Sequence, residues 1–102
     1  MDDTVARIDW SRDAATLDRL IRGCDPQPGA LAQRGEEPVR LFDCRRVEAF
    51  GDAPAGTVEA LPDGRIGIAA SGGGLSIGRV RVGDGAKVAA AESDLGPGDR
   101  LR

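Results

Sequence analysis

Turn signals recur at short intervals through the second half of the chain. Glycine-containing segments at residues 62–64, 71–74 and 83–85 separate short runs rich in Val, Ile, Leu and Ala. Short turns of this kind join antiparallel strands, whereas a parallel pair needs a much longer crossover. The spacing therefore predicts a meander of short antiparallel strands. These strands are expected at residues 56–61, 65–70, 75–82 and, as a closing fragment, 100–102.

The strands of the first half are less sharply bounded. A short strand is predicted at residues 30–32, followed by a polar turn. A period-two pattern from Pro38 to Cys44 then predicts a second strand, which continues towards Phe50. Both faces of this second strand carry apolar residues, so we expect it to be covered on both sides or to lie at a barrel corner.

Two glycines inside predicted strands indicate where the sheet bends. Leu75 and Ile77 have one parity along their strand and Val80 has the other, so a bulge or bend is expected near Gly78. Gly67 lies inside the preceding strand, where a small sheet must also curl. About five or six short strands after one helix predict a mainly β fold, a small barrel of the oligonucleotide/oligosaccharide-binding (OB) type. An open antiparallel sheet with the helix across one face is the alternative.

One amphipathic helix precedes the strands and is predicted at residues 11–23. Ser11 is a suitable N-cap, because its hydroxyl can accept a hydrogen bond from the free N–H groups of the first turn. Ala14, Leu17 and Ile21 fall on one face at helical spacing. The helix is therefore expected to pack that face against the sheet.

The end of the helix is equally well marked. Gly23 can adopt the left-handed conformation that ends a helix, and two prolines follow it closely. Residues 24–29 are therefore interpreted as a stiff connector. The whole chain, residues 1–102, is interpreted as a single domain in which residues 30–102 form the barrel.

The composition excludes several kinds of protein. The 102 residues are 40% hydrophobic and 30% charged, which is typical of one globular domain. Glycines and prolines break the longest uncharged runs and the acidic N-terminus lacks an apolar signal core, so the cytoplasm is the expected location. The chain has no His, and neither Cys24 nor Cys44 lies in a C-x-x-C motif. We therefore expect no catalytic residue, no metal ion and no cofactor.

A set of arginines is the candidate binding site. Arg79 and Arg81 are two residues apart and so share one face of their strand. If the strand that carries Arg40 pairs nearby, a basic patch forms that can contact backbone phosphates. The net charge of −3, the pI of about 4.9 and the scarcity of aromatic residues favour instead a solvated, charge-balanced exterior. The candidate substrate- or nucleic-acid-binding residues are Arg40, Arg45, Arg46, Arg79 and Arg81.

The helix and its flanks carry motifs in an order that is typical of one family. Ile8-Asp9-Trp10, Ala14, Leu20-Ile21-Arg22 and Pro26-x-Pro28-Gly29-Ala30 resemble the opening of the C-terminal domain of methionyl-tRNA formyltransferases and related formyltransferases. Gly56-Thr57-Val58 and Gly96-Pro97-Gly98-Asp99 are similar to later motifs of that domain. The resemblance covers nearly the whole chain. Its signature residues are expected to be structural: Ile8, Asp9, Trp10, Ala14, Ile21, Arg22, Pro26, Pro28, Gly29 and Ala30.

The resemblance implies an OB-like C-terminal module without the chemistry of the enzyme. The family's catalytic domain, with its Asn, His and Asp around a formyl-folate site, has no counterpart in this sequence. The chain is therefore expected not to be an enzyme on its own. It is expected to act with a formyltransferase catalytic domain or subunit, in cis or in trans, and to help position the substrate that accepts the formyl group.

The partner remains open at this point. tRNA is a candidate, although Gln27 stands where the family has an aromatic residue and the pI is acidic. No membrane partner is expected. Two alternatives are an independent tRNA- or nucleic-acid-binding module of the OB type and a self-associating structural domain.

Overall fold

The structure, a computed structural model, describes residues 7–24, 29–47 and 53–102. Within these residues one helix is followed by six strands. The helix is α1 (Ala14–Gly23), and the strands are β1 (Ala30–Arg34), β2 (Glu37–Val47), β3 (Val58–Ala60), β4 (Ile66–Ala70), β5 (Gly73–Val82) and β6 (Val88–Ala89), with a short 3-10 helix (Ala90–Glu92) at the end. The predicted connector prolines and the extension of the second strand to Phe50 lie outside the described residues.

The strands form one antiparallel sheet in the order β1-β2-β5-β4-β3. The strand β6 pairs with β5 beyond the end of β4. The two longest strands, β2 and β5, pair side by side from Val39 opposite Val82 to Val47 opposite Gly74. The mainly β fold predicted from the turn spacing is confirmed, and β2 with β5 forms its centre.

The last residues of the chain join the two edges of the sheet. Leu101 N–H donates to Gly56 C=O at 2.7 Å, next to β3. Arg102 and Gln33 of β1 exchange two backbone hydrogen bonds of 2.7 and 2.8 Å. Within the described residues β1 and β3 do not pair directly, so the six-stranded sheet is not a closed ladder. The C-terminal residues bridge the gap, which gives the sheet its barrel-like form.

The helix begins three residues later than predicted. Its N-cap is Asp13, whose side chain accepts a 2.9 Å hydrogen bond from Thr16 N–H. Ser11, the predicted cap, instead donates from both N and Oγ to the carboxylate of Asp9. The Asp9 side chain thus holds residues 9–11 in a turn, and helical geometry starts only after it. The helix ends at Gly23, as predicted, but Gly23 does not adopt the left-handed conformation and Cys24 is the C-cap.

The sheet reverses its in–out alternation halfway along the two central strands. On β2, Leu41 and Cys44 are both in the core although they are three residues apart, a spacing that strict alternation would place on opposite faces. The same holds on β5 for their partners Val80 and Ile77. Between them, the pair Asp43 and Gly78 is absent from the ladder. Asp43 has a φ of 57°, which few residues other than glycine adopt. The bend expected near Gly78 is therefore present.

The half-buried Arg65 stabilises this reversal. Arg65 Nη1 donates to the Asp43 carboxylate at 2.9 Å, and Nη2 donates to Asp43 C=O and, at 3.0 Å, to Ser76 C=O. Arg65 Nε donates to Ser76 Oγ. The backbone carbonyls of Asp43 and Ser76 are thereby satisfied where the ladder is interrupted. Gly78 is needed opposite, because a Cβ there would collide with the Asp43 carboxylate and the Arg65 guanidinium.

The core lies between α1 and the inner face of the sheet and consists almost entirely of aliphatic side chains. Trp10 packs against its edge and is only partly buried. None of the described helices is long and apolar enough to cross a membrane. The largest fully buried side chains are Leu17, Ile21, Leu41, Ile68, Leu75, Ile77, Leu101, Val39, Val58 and Val80.

We predict that Asp13→Ala lowers the melting temperature at pH 7 more than Ser11→Ala does, because only Asp13 caps the helix. The hydrogen bond with Thr16 lowers the pKa of Asp13 below its ordinary value of 3.8. A carboxyl group with a lowered pKa stabilises the fold above that ordinary value and loses its contribution as the pH falls through the folded-state pKa. The effect of Asp13→Ala should therefore fade below about pH 4. Thermal melts followed by circular dichroism at pH 7 and pH 3 measure the melting temperatures of both variants. Equal melting temperatures at pH 7 would contradict the prediction that Asp13 is the cap.

We also predict that Gly78→Ala lowers the free energy of unfolding by about 1–3 kcal/mol, the usual cost of overpacking. The added methyl group displaces the Asp43 carboxylate from Arg65. Gly96→Ala is the matched control, since nothing lies within 4 Å of a Cβ at that position. Urea denaturation of the two variants provides the comparison. Two variants of equal stability would mean that the Arg65 cluster is not needed for the bend.

Candidate functional site

The outer face of the two central strands brings three of the predicted arginines together. Arg40 lies directly opposite Arg81, and Arg79 lies directly opposite Phe42. Cross-strand partners project to the same side of a sheet, so these four side chains share one surface. The core and α1 lie on the other side. With Lys87, which reaches this surface from the loop before β6, Arg40, Arg79 and Arg81 form what we call the basic face.

Phe42 is the floor of the basic face. Phe42 is 3% exposed, yet it lies outside the main core cluster. Gly29, with a φ of +85°, lies so close to the ring that a Cβ would collide with it. The Lys87 ammonium lies 4.0 Å from the ring centroid, in the geometry of a cation–π contact. Phe42 is therefore covered by a cation and is not an exposed stacking platform.

Backbone carbonyls hold two of the guanidinium groups. Arg40 Nη1 donates to Gly29 C=O at 3.3 Å, and Arg81 Nε donates to Gly85 C=O at 2.8 Å. A neutral carbonyl orients a guanidinium without cancelling its charge. Arg40 and Arg81 are like charges placed directly opposite each other, an arrangement that costs free energy in a sheet.

The other two predicted arginines lie beyond the reversal at Asp43. Arg45 pairs with Ser76, on the outer side, but the Asp43–Arg65 cluster separates it from the basic face. Arg46 pairs with Leu75, a core residue, and so projects to the helix side. Its positive charge contributes there to the lowered pKa of Asp13. The structure therefore separates Arg46 from the predicted patch, because strand parity changes between Arg40 and Arg46.

Lys87 was not predicted as part of the site. As the only Lys among fourteen basic residues it is conspicuous in the sequence. Its place over Phe42, however, depends on how the loop between β5 and β6 folds back on the sheet. Arg65 and Asp43 were missed for a similar reason, since their contact joins residues 22 positions apart in the chain.

The signature residues that the structure describes make contacts within the fold. Asp9 holds Ser11, and the two hydrogen bonds lower its pKa. Arg22 forms an ion pair with Asp18, at 3.5 Å, and Gly29 packs against Phe42. Pro26 and Pro28 lie outside the described residues. Those buried in the core are Ile8, Ala14, Ile21 and Ala30, with Trp10 packed at its edge.

The chemistry available to the cysteines is limited. Cys44 is buried beneath α1, and burial together with the neighbouring Asp18 carboxylate raises the pKa of its thiol. It therefore stays protonated at neutral pH and is a poor nucleophile. Cys24 is half-buried, and both cysteines are free thiols. Within residues 7–24, 29–47 and 53–102 no group of three or more potential ligands is placed to hold a metal ion.

A helix packed on a strongly curled antiparallel sheet, with a row of cations on its outer face, defines a small, mainly β domain of barrel-like form. Residues 1–96 match the family described as "Formyl transferase, C-terminal domain", and the chain belongs to this family. The family resemblance inferred from the Ile8-Asp9-Trp10 segment is thereby confirmed.

Its relatives include methionyl-tRNA formyltransferases. That of Burkholderia vietnamiensis is 36% identical over 101 residues, which cover 94% of this chain and 31% of the relative. That of Halorhodospira halophila is 36% identical over 85 residues, covering 83% of this chain and 27% of the relative. The chain thus spans less than a third of the length of either of these relatives.

A solved structure supports the same placement. HypX from Aquifex aeolicus, crystallised in complex with tetrahydrofolic acid, superimposes with a TM-score of 0.74 and 30% sequence identity. The match covers 84% of this chain and 16% of that one. The fold therefore also occurs as a small part of a much longer protein.

Proposed function

We propose that this chain is the non-catalytic C-terminal module of a formyltransferase and helps to position the formyl-accepting substrate for a catalytic domain. The observation that carries the proposal is that the family model matches residues 1–96, nearly the whole chain. The chain nevertheless covers only 31% of the length of the Burkholderia vietnamiensis relative. A chain without His also lacks the commonest general base. The catalytic domain belongs either to the same protein or to a separate subunit.

The basic face is the surface that we assign to the substrate. Two relatives are named for methionyl-tRNA, which carries phosphates along its whole length. Arginine binds phosphate through a planar fork of N–H donors, and strand register places Arg40 and Arg81 side by side. A phosphate at the basic face would accept hydrogen bonds from such forks.

The chemistry of this face favours contact with the RNA backbone over contact with bases. Proteins that bind single strands tightly usually stack bases on exposed aromatic rings. The ring on this face, Phe42, is buried beneath Lys87. Recognition would therefore depend on the shape and charge of the acceptor and not on its sequence.

The same surface supports a second candidate, an independent nucleic-acid-binding module. The two candidates differ in whether the isolated chain binds tRNA tightly or contributes only when a catalytic domain is present. Self-association through strand edges has less support, because Gly56 beside β3 and Gln33 in β1 already bond to Leu101 and Arg102.

We predict that the isolated chain binds tRNA weakly at low salt and that the affinity falls as salt rises. The double variant Arg79→Ala/Arg81→Ala should reduce the slope of log K against log salt by about 1.5–2, since each lost phosphate contact removes nearly one counterion. The control variant is Arg12→Ala/Arg19→Ala, which removes the same charge from exposed positions before and within α1. Its salt dependence should stay close to that of the unmodified chain. Filter binding over a salt series measures both. Equal slopes for the two variants would remove the basic face from the proposal.

We further predict that the isolated chain transfers no formyl group, whereas a chimera does. In this chimera the chain replaces the matched 101 residues of the Burkholderia vietnamiensis enzyme. Within it, Arg79→Ala/Arg81→Ala should raise KM for methionyl-tRNA more than it lowers kcat, because the basic face binds the substrate away from the reacting atoms. Steady-state kinetics separate the two constants. Formyl transfer by the chain alone would refute the accessory role.

A further inference from the structure

A groove of about 590 Å³ lies where three segments of the chain meet. Residues 8–11 form one wall, Ala55 another and residues 100–102 the third. It shares no residue with the basic face. The site proposed for the substrate therefore leaves this groove without a role.

The inner surface of the groove is mainly apolar. Ile8 and Leu101 line it and are themselves core residues, 5% and 1% exposed. Trp10 is partly exposed beside them, and its Nε1 is buried with no hydrogen-bond partner. A large aromatic ring left partly open at an apolar groove is typical of a protein interface anchor.

The rim of the groove is positively charged. Arg100 Nε donates to Ala55 C=O at 3.3 Å, and Arg102 Nη2 donates to Gly35 C=O at 3.1 Å. Both residues are exposed, and the ion pairs among the described residues involve other arginines. Asp9, the acidic residue of the groove, is engaged with Ser11 and Arg12. The surface that fits here is an apolar protrusion flanked by carboxylates.

The family indicates which protein surface that is. Most of the Burkholderia vietnamiensis relative lies outside the matched part, and a domain described as C-terminal follows the rest of its protein. In a protein of this arrangement, the preceding polypeptide reaches the domain from the N-terminal side of Ile8, and Ile8 lines the groove. Ile8 N–H bonds to Leu31 C=O at 2.8 Å, so this wall is attached to the sheet. A tethered partner is held at high effective concentration, and a groove of this size is then enough to dock it.

We infer that the groove between Trp10 and Arg100 is the docking surface for the formyltransferase catalytic domain. The catalytic domain would insert an apolar protrusion into the groove, and acidic residues beside that protrusion would face Arg100 and Arg102. The inference rests on the proposed function. Docking at this groove sets the orientation of the sheet, because Ile8 and Leu101 belong to its core. The basic face is then held at a defined place relative to the catalytic domain.

Hydroxyl-radical footprinting of Trp10 tests the inference. Trp10 is the only Trp in the chain, so mass spectrometry assigns its oxidation to a single peptide. Its oxidation rate should be severalfold lower in the full-length chimera than in the isolated chain. Leu61, in the turn after β3, is the internal control and should react equally in both.

Reversing the charge of the two rim arginines tests whether they contribute to docking. In the chimera, Arg100→Glu/Arg102→Glu should restore rapid oxidation of Trp10, whereas Arg79→Glu/Arg81→Glu on the basic face should leave Trp10 protected. Thermal melts of each variant in the isolated chain establish that the fold is kept. Protection that survives reversal of Arg100 and Arg102 would overturn the assignment.

The remaining outcomes separate this inference from the proposed function. If Trp10 reacts at the same rate in the chimera, the groove is not the docking surface; formyl transfer by that same chimera would show that the accessory role still holds. If tRNA alone protects Trp10 in the isolated chain, the groove belongs to nucleic acid, which also overturns the inference.

Discussion

The contact of Arg65 with Asp43 and Ser76 is the interaction on which the rest of the sheet depends. Two long neighbouring strands with strict alternation would have to place Cys44 and Ile77 outside if Leu41 and Val80 were inside. The reversal at Asp43 avoids this conflict, but it interrupts the ladder and leaves backbone carbonyls to be satisfied. A guanidinium group has enough donors to satisfy two carbonyls and a carboxylate at once. The same reversal sends Arg46 to the helix side and keeps Arg79 and Arg81 outside.

An acidic chain can present a basic surface because its charges are segregated. Arg34 gathers Glu37, Asp94 and Asp99 around one guanidinium, and it lowers the pKa of Asp94. This cluster ties the turn after β1 to the loop near the C-terminus. The basic face is built from other cations, two of which are oriented by neutral carbonyls. Net charge governs long-range attraction, whereas a local array of arginines governs what binds at close range.

The C-terminal residues connect the two surfaces that we assign to function. They bond to both edges of the sheet and so give the barrel its form. Leu101 enters the core, while Arg100 and Arg102 on either side of it form the rim of the groove. Alternation along an extended segment accounts for this arrangement, since neighbouring residues point in opposite directions. A partner bound at the groove would thus contact the segment that completes the sheet carrying the basic face.

The sequence by itself determined the features that depend on neighbouring residues. Turn residues predicted the succession of strands along the chain after the helix. The parity of Leu75, Ile77 and Val80 predicted the bend at Gly78, and the motifs from Ile8 onwards indicated the family. The tertiary structure decided which residues meet across the fold. Asp13 replaces Ser11 as the cap because Asp9 captures Ser11, and Lys87 joins the basic face while Arg46 leaves it. Such contacts depend on register, parity and loop path, each set by the packing of the whole sheet, and no short stretch of sequence carries that information.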